Sequence, residues 1–159
     1  MNDLKKLCMV TYGLYGISAV LQFFEATLLP GLLALVIAYI LMRSKREEAK
    51  DTPYASHLQW MNRTFWIGTG VIVPVAVIIA TVLVLTFTDI TAVVTAMNGD
   101  NPDAMMGNIQ GYIADNMKKV NMIVSFTLVP TVVWWMRRCW TGYALAKEGS
   151  PVENVTTWL

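Results

Sequence analysis

Apolar residues are gathered into four long blocks, and polar residues are largely confined to the segments between them. The blocks cover residues 7–24, 28–42, 63–87 and 120–137. A helix rises 1.5 Å per residue and the hydrocarbon core of a bilayer is about 30 Å thick, so roughly 20 apolar residues cross it. The third block has this length, the first is adequate and the fourth is slightly short. The pattern predicts an all-α membrane protein with four transmembrane helices in one polytopic domain over 1–159.

The second block is the shortest of the four. It crosses a bilayer only where the membrane thins locally or neighbouring helices are recruited. Lys5 and Lys6 precede the first block and imitate the start of a secretory signal peptide. That block is long for a signal peptide, and no small-residue cleavage site follows it. We therefore expect a retained helical hairpin over the first two blocks, with a cleaved signal peptide as the alternative.

Residues 88–119 form a sizeable segment on the outer side. Within it, Asn101–Pro102–Asp103 is typical of a helix start, because asparagine caps the first turn, proline fits it and an acid favours it. Apolar residues then recur at helical spacing, which indicates an amphipathic helix over about 102–118, on the outer face or packed on the bundle. Continuation of this helix into the fourth span is the alternative. Its apolar side is a candidate face for an external partner: Met105, Ile109, Tyr112, Ile113 and Met117.

Composition agrees with the hydrophobic pattern. Apolar residues make up 55% of the chain, charged residues only 14%, and the mean hydropathy is +0.49. A soluble domain carries about 25% charged residues. No basic patch with interleaved aromatic residues is present in the sequence, so nucleic acid is not expected as a partner. The composition therefore indicates an integral membrane protein.

The basic residues and the tryptophans both predict the orientation. With four crossings, both termini share one side with the loop 43–61, and Lys118 and Lys119 lie on the other side. The first side then carries ten of the 12 lysines and arginines, which is the bias of cytoplasmic loops. All six tryptophans group near the same boundary, where the indole ring prefers to lie. We expect a multi-pass protein of the bacterial inner membrane with both termini in the cytoplasm.

The stretch SHLQWMNRTFW, residues 56–66, contains the only histidine of the chain, His57. A catalytic base or metal ligand there would need an acid or a second ligand at helical spacing, and the sequence has none. We interpret the stretch as a helix that starts after Thr52–Pro53 and runs along the inner surface before the third span. His57 then bonds a carbonyl or a lipid phosphate, and Arg63 anchors a phosphate. The candidate boundary residues, which contact lipid or a partner where helices enter the membrane, are His57, Trp60, Arg63, Trp66, Trp134, Trp135, Arg137 and Arg138.

Three residues are candidates for a kink or a cavity. Pro74 and Pro130 each remove one hydrogen bond from a membrane helix, and paired kinks could line a cavity. Glu25 lies at the outer turn of the hairpin, and an acid near the membrane interior is a functional candidate by default. A path through the membrane would also need a polar track that continues from Glu25 and Gln22 past Asn121 and Ser125 towards the prolines.

Patterns of catalytic residues are missing from the sequence: it has no nucleophile elbow, no phosphate-binding loop and no carboxylate pair. We therefore expect no enzyme activity, no cofactor and no metal, and we interpret Cys8 and Cys139 as free thiols on the reducing side. The methionines of the outer segment could bind Cu(I), an alternative that their helical spacing makes unnecessary. Gly68 with Gly13 and Gly16 are expected as points of close packing between helices.

A resemblance rests on YASHLQWMNRTFWIG at 54–68, Ala38–Tyr39 at the end of the second block, and WTGYALAKEGSPV near the C terminus. These segments resemble a family of small bacterial inner-membrane proteins. That family is known only as a domain of unknown function and is distantly likened to the membrane component of the chloroplast inner-envelope protein translocon. The resemblance covers most of the chain apart from 88–119, which is longer here. It implies a helical fold and an inner-membrane location, and it implies no activity.

The patterns together favour a non-catalytic accessory or scaffold subunit that packs against a larger membrane complex. A short second helix favours lateral packing on other membrane protein subunits or in a homo-oligomer. Expected partners are therefore membrane lipids and such subunits. The alternative is an oligomeric conduit or transporter component built around Pro74 and Pro130.

Overall fold

A computed structural model describes residues 2–22, 24–91, 94–95, 98 and 102–156. Over these residues the chain forms helices and turns and contains no β-strand, which confirms the all-α prediction. The helices are α1 (Asn2–Leu21), α2 (Leu28–Ser44), α3 (Tyr54–Ile67), α4 (Val73–Phe87) and α5 (Pro102–Glu148), with a 3-10 turn at Glu25–Thr27 and a π-helical turn at Gly68–Ile72.

Among the described residues, three helical stretches are long and apolar enough to cross a membrane: Asp3–Leu21, Tyr54–Phe87 and Met105–Glu148. The helix α2 is apolar but shorter, with 17 residues. At 1.5 Å per residue it measures about 25 Å, whereas the hydrocarbon core is about 30 Å thick. The structure therefore supports a membrane protein with three candidate spans, and a fourth span would depend on α2.

A short hairpin joins α1 to α2. Carbonyl groups at the end of a helix have no partner within it, and Thr27 supplies one here, because its hydroxyl donates to Leu21 O at 2.6 Å. Gly31 lies against the end of α1, where an added Cβ would come within 3.1 Å of Leu21 Cβ. The two helices pack along each other, as the hairpin pattern predicts.

Successive turns over residues 45–53 connect α2 to α3. The Thr52 hydroxyl accepts a hydrogen bond from Tyr54 N at 3.2 Å and so closes the last of these turns. The helix α3 starts at Tyr54, directly after Pro53, as predicted. Helical structure then continues to Phe87, so no loop separates the predicted surface segment from the third span.

A widened helical turn precedes Pro74. Proline has no N–H group and crowds the carbonyl four residues earlier, at Gly70. Residues Gly68–Ile72 adopt a π-helical turn, which accommodates both the missing hydrogen bond and the crowded carbonyl. Thr69 lies in that turn, and its hydroxyl donates to Phe65 O at 2.6 Å. Pro74 therefore coincides with a local change in helical geometry.

The chain divides into two compact units, and both divisions fall beside a proline. Unit 1 comprises residues 1–72 and 131–159, and unit 2 comprises residues 73–130. The first division lies just before Pro74 and the second directly after Pro130. Pro130 lies inside α5, which contributes residues to both units.

Unit 1 has a closely packed core formed by α1, α2, α3 and the last part of α5. Two glycines permit its closest contacts, because an added Cβ would overlap the Trp135 ring at Gly68 and the Tyr12 ring at Gly142. Close packing was therefore predicted correctly at Gly68. At Gly13 the prediction is wrong, because an added Cβ there would meet nothing within 4 Å. The buried apolar side chains include Leu4, Cys8, Tyr12, Tyr15, Leu35, Met42, Leu58, Trp60, Met61, Trp135 and Cys139.

Unit 2 contains α4 and the first part of α5, which run antiparallel. Thr88, just after α4, shares a hydrogen bond of 2.6 Å with the Tyr112 hydroxyl. Nearer the start of α4, the two helices border a common apolar cleft lined by Val77, Ala80, Thr81, Val84, Leu85, Val124 and Leu128. Away from this seam the apolar side chains are exposed, with Val82 at 55% and Phe126 at 78%. Apolar exposure on all sides of a helix is typical of a membrane span.

The predicted amphipathic helix is the beginning of α5 rather than a separate element. It starts at Pro102, as the sequence predicts, and α5 continues to Glu148 over 47 residues. The segment 102–118 is therefore continuous with the fourth predicted span, and no loop separates the two.

Candidate functional site: a buried polar cluster and a basic cleft

His57 is completely buried and links three parts of unit 1. Its Nε2 atom lies 2.8 Å from the Ser150 carbonyl oxygen, so this nitrogen carries the proton and donates. Its Nδ1 atom lies 3.1 Å from the Tyr12 hydroxyl, which then donates to it. The neutral imidazole therefore joins α1, α3 and the segment after α5. Of the two partners expected from the sequence, a carbonyl or a lipid phosphate, His57 has the carbonyl.

The end of α5 is shaped so that the Ser150 carbonyl reaches His57. Gly149 has a positive φ of 76°, which glycine adopts without steric cost. The N–H groups of Gly149 and Ser150 donate to carbonyls of the last helical turn at 3.2 and 3.0 Å, the Schellman arrangement of a helix C terminus. Val152 N then donates to Ser56 Oγ at 2.9 Å and holds the following segment against the start of α3.

Arg138 of α5 is buried, with 1% of its surface exposed. Its Nε atom donates to the Thr64 hydroxyl at 2.9 Å, and its guanidinium carbon lies 3.6 Å from the centre of the Trp60 ring and 5.3 Å from that of Trp134. The Trp60 indole N–H in turn donates to the Arg138 carbonyl at 3.3 Å. A planar guanidinium suits such stacking, and a desolvated cation–π contact is worth about 2 kcal/mol or more.

Helical spacing explains why α3 supplies so much of this cluster. Residues three and four apart lie on the same side of a helix. His57, Trp60, Met61 and Thr64 follow this spacing, and all four are buried. One face of α3 thus carries the histidine, the stacking ring and the hydroxyl that hold α1 and α5.

The boundary residues predicted from the sequence divide into two groups. Four lie in the interior of unit 1, where their side chains contact other parts of the chain: His57, Trp60, Trp135 and Arg138. Trp134 and Arg63 are half-buried. Only Trp66 and Arg137 are exposed, as lipid contact requires. The physical reason is that adjacent helical residues point about 100° apart, so Arg137 and Arg138 differ in burial although their sequence context is the same.

Several buried polar atoms near this cluster make no hydrogen bond with other described residues. They are Thr11 Oγ1, Tyr15 Oη, Arg63 Nε and Trp135 Nε1. Tyr15 and Trp135 pack edge to face, with ring centres 6.2 Å apart. Cys8 and Cys139 are buried free thiols, and the described residues include no group of three histidine, cysteine or acidic side chains arranged to hold a metal. Both nitrogens of His57, the single histidine of the chain, are engaged within the protein, so this side chain has a structural role.

A second feature of unit 1 is a cleft of about 430 Å³ between the end of α2, the following turns and α3. It is lined by Met42, Arg43, Arg46, Glu47, Lys50, Ala55, Leu58, Gln59 and Asn62. Three of these residues are cations and one is an acid, so the cleft carries a net positive charge. The neighbouring Lys45 and Glu48 form an ion pair with each other, which raises the pKa of Lys45. We name this feature the basic cleft.

The sequence places basic residues in the loop 43–61 but does not reveal the cleft. The missing information was the position of Gln59 and Asn62, which lie one turn apart on α3 and line the opposite wall. A charge run by itself is typical of a solvated loop. Tyr12, Thr64 and Ser150 were missed for a related reason, because their hydrogen bonds join segments distant in the chain.

The predicted external partner face is only partly exposed. Met105, Ile109 and Tyr112 are half-buried, whereas Ile113 and Met117 are exposed at 48% and 52%. The Tyr112 hydroxyl is engaged with Thr88, as described above. The side chain of Glu25, the third candidate for a kink or cavity, lies outside the described residues.

Comparison with known proteins provides no relative from which a function could be transferred. No protein-family model matches the sequence, and neither a curated protein nor a solved structure matches it. The function is therefore inferred from the chain's own residues.

Proposed function

We propose that this chain is a multi-pass protein of a bacterial inner membrane that crosses the bilayer four times and keeps both termini in the cytoplasm. In this membrane it acts without catalysis, as an accessory or scaffold subunit that packs against a larger membrane complex. Its proposed partners are membrane lipids and other membrane protein subunits. The resemblance of residues 54–68 to small bacterial inner-membrane proteins agrees with this location.

The fourth crossing relies on α2. Its exposed side chains are apolar over most of its length, as contact with lipid tails requires: Leu28, Leu29, Leu32, Leu33, Val36, Ile37 and Ile40. The length of α2, about 25 Å, is only a few ångströms less than the hydrocarbon thickness. A difference of this kind between helix length and bilayer thickness costs fractions of a kcal/mol per ångström. Crossing by α2 returns the chain to the side of Lys5 and Lys6, in agreement with the distribution of basic residues.

The observation that carries the accessory role is a polar stripe on the exposed side of α5. Asn121 and Ser125 are exposed and lie one helical turn apart. Ser125 directly follows Val124, which lines the apolar cleft between α4 and α5. The polar stripe therefore lies at the same height along the helix as apolar residues. Neither side chain hydrogen-bonds to another residue in the described part of the chain. Lipid tails offer no such partner, whereas a neighbouring protein helix does.

The same side of α5 also presents small residues. Gly107 and Gly111 follow the same spacing, and a Cβ added at either would meet nothing within 4 Å. Gly107 and Gly111 lie in the proposed outer segment 102–118, where they leave room for a partner helix, and Asn121 and Ser125 further along α5 offer that helix hydrogen bonds. The stripe is therefore suited to a second protein helix rather than to lipid.

Site-specific photocrosslinking tests this proposal. A photoreactive amino acid replaces Ser125 in one variant and Phe126, which is 78% exposed, in a matched control. Because neighbouring helical positions point in different directions, Ser125 should give a discrete adduct with a second protein and Phe126 should give lipid adducts. Mild-detergent purification should then recover the same protein at fixed stoichiometry. The proposal fails if both positions give only lipid adducts.

The same experiment evaluates the oligomeric conduit as a competing function. A conduit predicts that Ser125 crosslinks to a second copy of the chain and that the purified oligomer makes liposomes leak a small solute. Recovery of a distinct larger complex without leakage supports the accessory role. The two functions therefore give different masses and different leakage.

A further inference from the structure

We propose that the basic cleft is a binding site for the headgroup of an anionic phospholipid, whose acyl chains lie along α2. The cleft residues were not among the candidate boundary residues, and the proposal assigns them one class among the membrane lipids proposed as partners. It depends on the membrane location proposed above but not on the existence of a partner complex.

The charges of the cleft favour an anion. Arg43, Arg46 and Lys50 line it and are exposed, and none forms an ion pair within the described chain. Glu47 is the only acid in the lining. The nearby Glu48 does not offset these charges, because it is paired with Lys45. Basic pockets at the cytoplasmic ends of membrane helices bind anionic headgroups by this kind of complementarity.

The other wall of the cleft supplies neutral hydrogen-bonding groups. Gln59 and Asn62 project from α3, and their amides are not hydrogen-bonded to any other residue that the structure describes. An amide donates and accepts, so it fits hydroxyl groups and ester oxygens. Guanidinium groups on one side and amides on the other match a phosphodiester that carries a glycerol headgroup.

The surroundings favour a lipid over a soluble phosphate compound. Apolar residues of α2 repeat along one exposed side and lead to Arg43: Leu29 at 69%, Leu33 at 55%, Val36 at 52% and Ile40 at 58%. The spacing of three and four residues keeps these positions in line with Arg43. The lining of the cleft also includes the apolar residues Met42, Ala55 and Leu58. A molecule with an anionic head and long apolar tails fits this sequence of surfaces.

The test uses the purified full chain in nanodiscs that contain equal amounts of phosphatidylglycerol and phosphatidylethanolamine with the same acyl chains. After transfer to a mild detergent, native mass spectrometry measures which lipid remains bound. The wild-type chain should retain phosphatidylglycerol preferentially. In the cleft variant R43Q/R46Q/K50Q, the ratio of retained phosphatidylglycerol to phosphatidylethanolamine should fall roughly five-fold for each charge that is removed.

Two further variants make the result specific to the cleft. K5Q/K6Q/K147Q removes the same number of charges outside the cleft and should keep the preference. E47Q removes the acid from the lining and should increase the preference. Far-ultraviolet circular dichroism and size-exclusion chromatography report whether each variant is folded. The proposal is wrong if the two triple variants lose phosphatidylglycerol equally or if E47Q lowers retention.

Competition identifies the source of the phosphate. Inorganic phosphate at millimolar concentration should not displace phosphatidylglycerol, and displacement would assign the cleft to a soluble phosphate compound. Absence of any lipid preference, together with crosslinking of position 46 to an acidic protein segment, would assign it to a partner protein. Because the measurement needs only the isolated chain, failure of the accessory role would leave this result unchanged.

Discussion

The Tyr12 hydroxyl of α1 and the His57 Nδ1 atom of α3 are joined by a hydrogen bond of 3.1 Å across 45 residues of sequence. His57 in turn donates to the Ser150 carbonyl, so a single side chain connects the beginning, middle and end of the chain. In an α-helical protein the backbone hydrogen bonds stay within each helix. Apart from packing, hydrogen bonds between side chains therefore fix the position of α1 relative to α3.

Replacement of Tyr12 by phenylalanine tests this connection. The ring would still pack, but His57 Nδ1 would be left buried without its partner. An orphaned buried acceptor costs about 1–3 kcal/mol of unfolding free energy. Y39F is the matched control, because the Tyr39 hydroxyl bonds no other described residue and its ring packs 4.5 Å from Phe65 in either case. Thermal unfolding in detergent, followed by circular dichroism, should show a lower midpoint for Y12F only. Equal midpoints for Y12F and Y39F would contradict a stabilising role of this bond.

The adjacent arginines of α5 should respond differently to the same substitution. Arg138 is buried against Trp60, whereas Arg137 is exposed. Lysine keeps the charge but loses the planar group that stacks on the ring and the Nε atom that donates to Thr64. R138K should therefore lower the unfolding free energy by roughly 2–4 kcal/mol.

R137K is the control for this substitution and should change stability by less than about 0.5 kcal/mol, as expected for an exposed position. Tryptophan fluorescence during denaturant unfolding measures the stability of both variants. A shift of similar size in the two variants would show that position 138 tolerates lysine and that the stacking contributes little.

Glycine substitutions test the close packing of unit 1. An added methyl group at Gly142 would overlap the Tyr12 ring, and in a packed core such overfilling costs typically 1–3 kcal/mol. At Gly13 the methyl group would meet nothing within 4 Å, and alanine favours a helix by up to about 1 kcal/mol. G142A should therefore lower the unfolding temperature, and G13A should leave it unchanged or raise it. A stabilised G142A would mean that Tyr12 moves aside easily.

Several features of the fold could be predicted from the sequence because they depend on local pattern. The start of α3 at Tyr54 follows from the proline before it, and the start of α5 follows from Pro102. Because polar residues interrupt the apolar run over 102–118, the sequence left open whether a separate amphipathic helix forms there or the helix runs on into the fourth span. The helix continues regardless, since residues 102–118 contain no further proline and helical hydrogen bonding does not require an apolar surface.

The candidate sites were less predictable, because they depend on which side of each helix faces the protein. Tryptophan and arginine near a membrane boundary suit lipid contact and protein contact equally well. His57 and Arg138 proved to be buried, since Tyr12 and Thr64 from other helices supply their partners. The sequence contains no local signal for these pairings. The basic cleft was missed in the same way, because its two walls come from different helices.

The four-span arrangement leads to a prediction about the two ends of α2. Ala26 and Ser44 are both exposed and lie just before α2 and at its end. If α2 crosses the bilayer, A26C lies outside and S44C lies in the cytoplasm. The natural Cys8 and Cys139 have exposures of only 0% and 5%, so they should contribute little background. In intact cells with a permeabilised outer membrane, a membrane-impermeant maleimide should label A26C. It should label S44C only after the inner membrane is opened.

Labelling of both positions from outside, or of neither, would mean that α2 returns to the side from which it started. The chain would then cross three times, the two termini would lie on opposite sides, and the cytoplasmic position of the basic cleft would no longer follow.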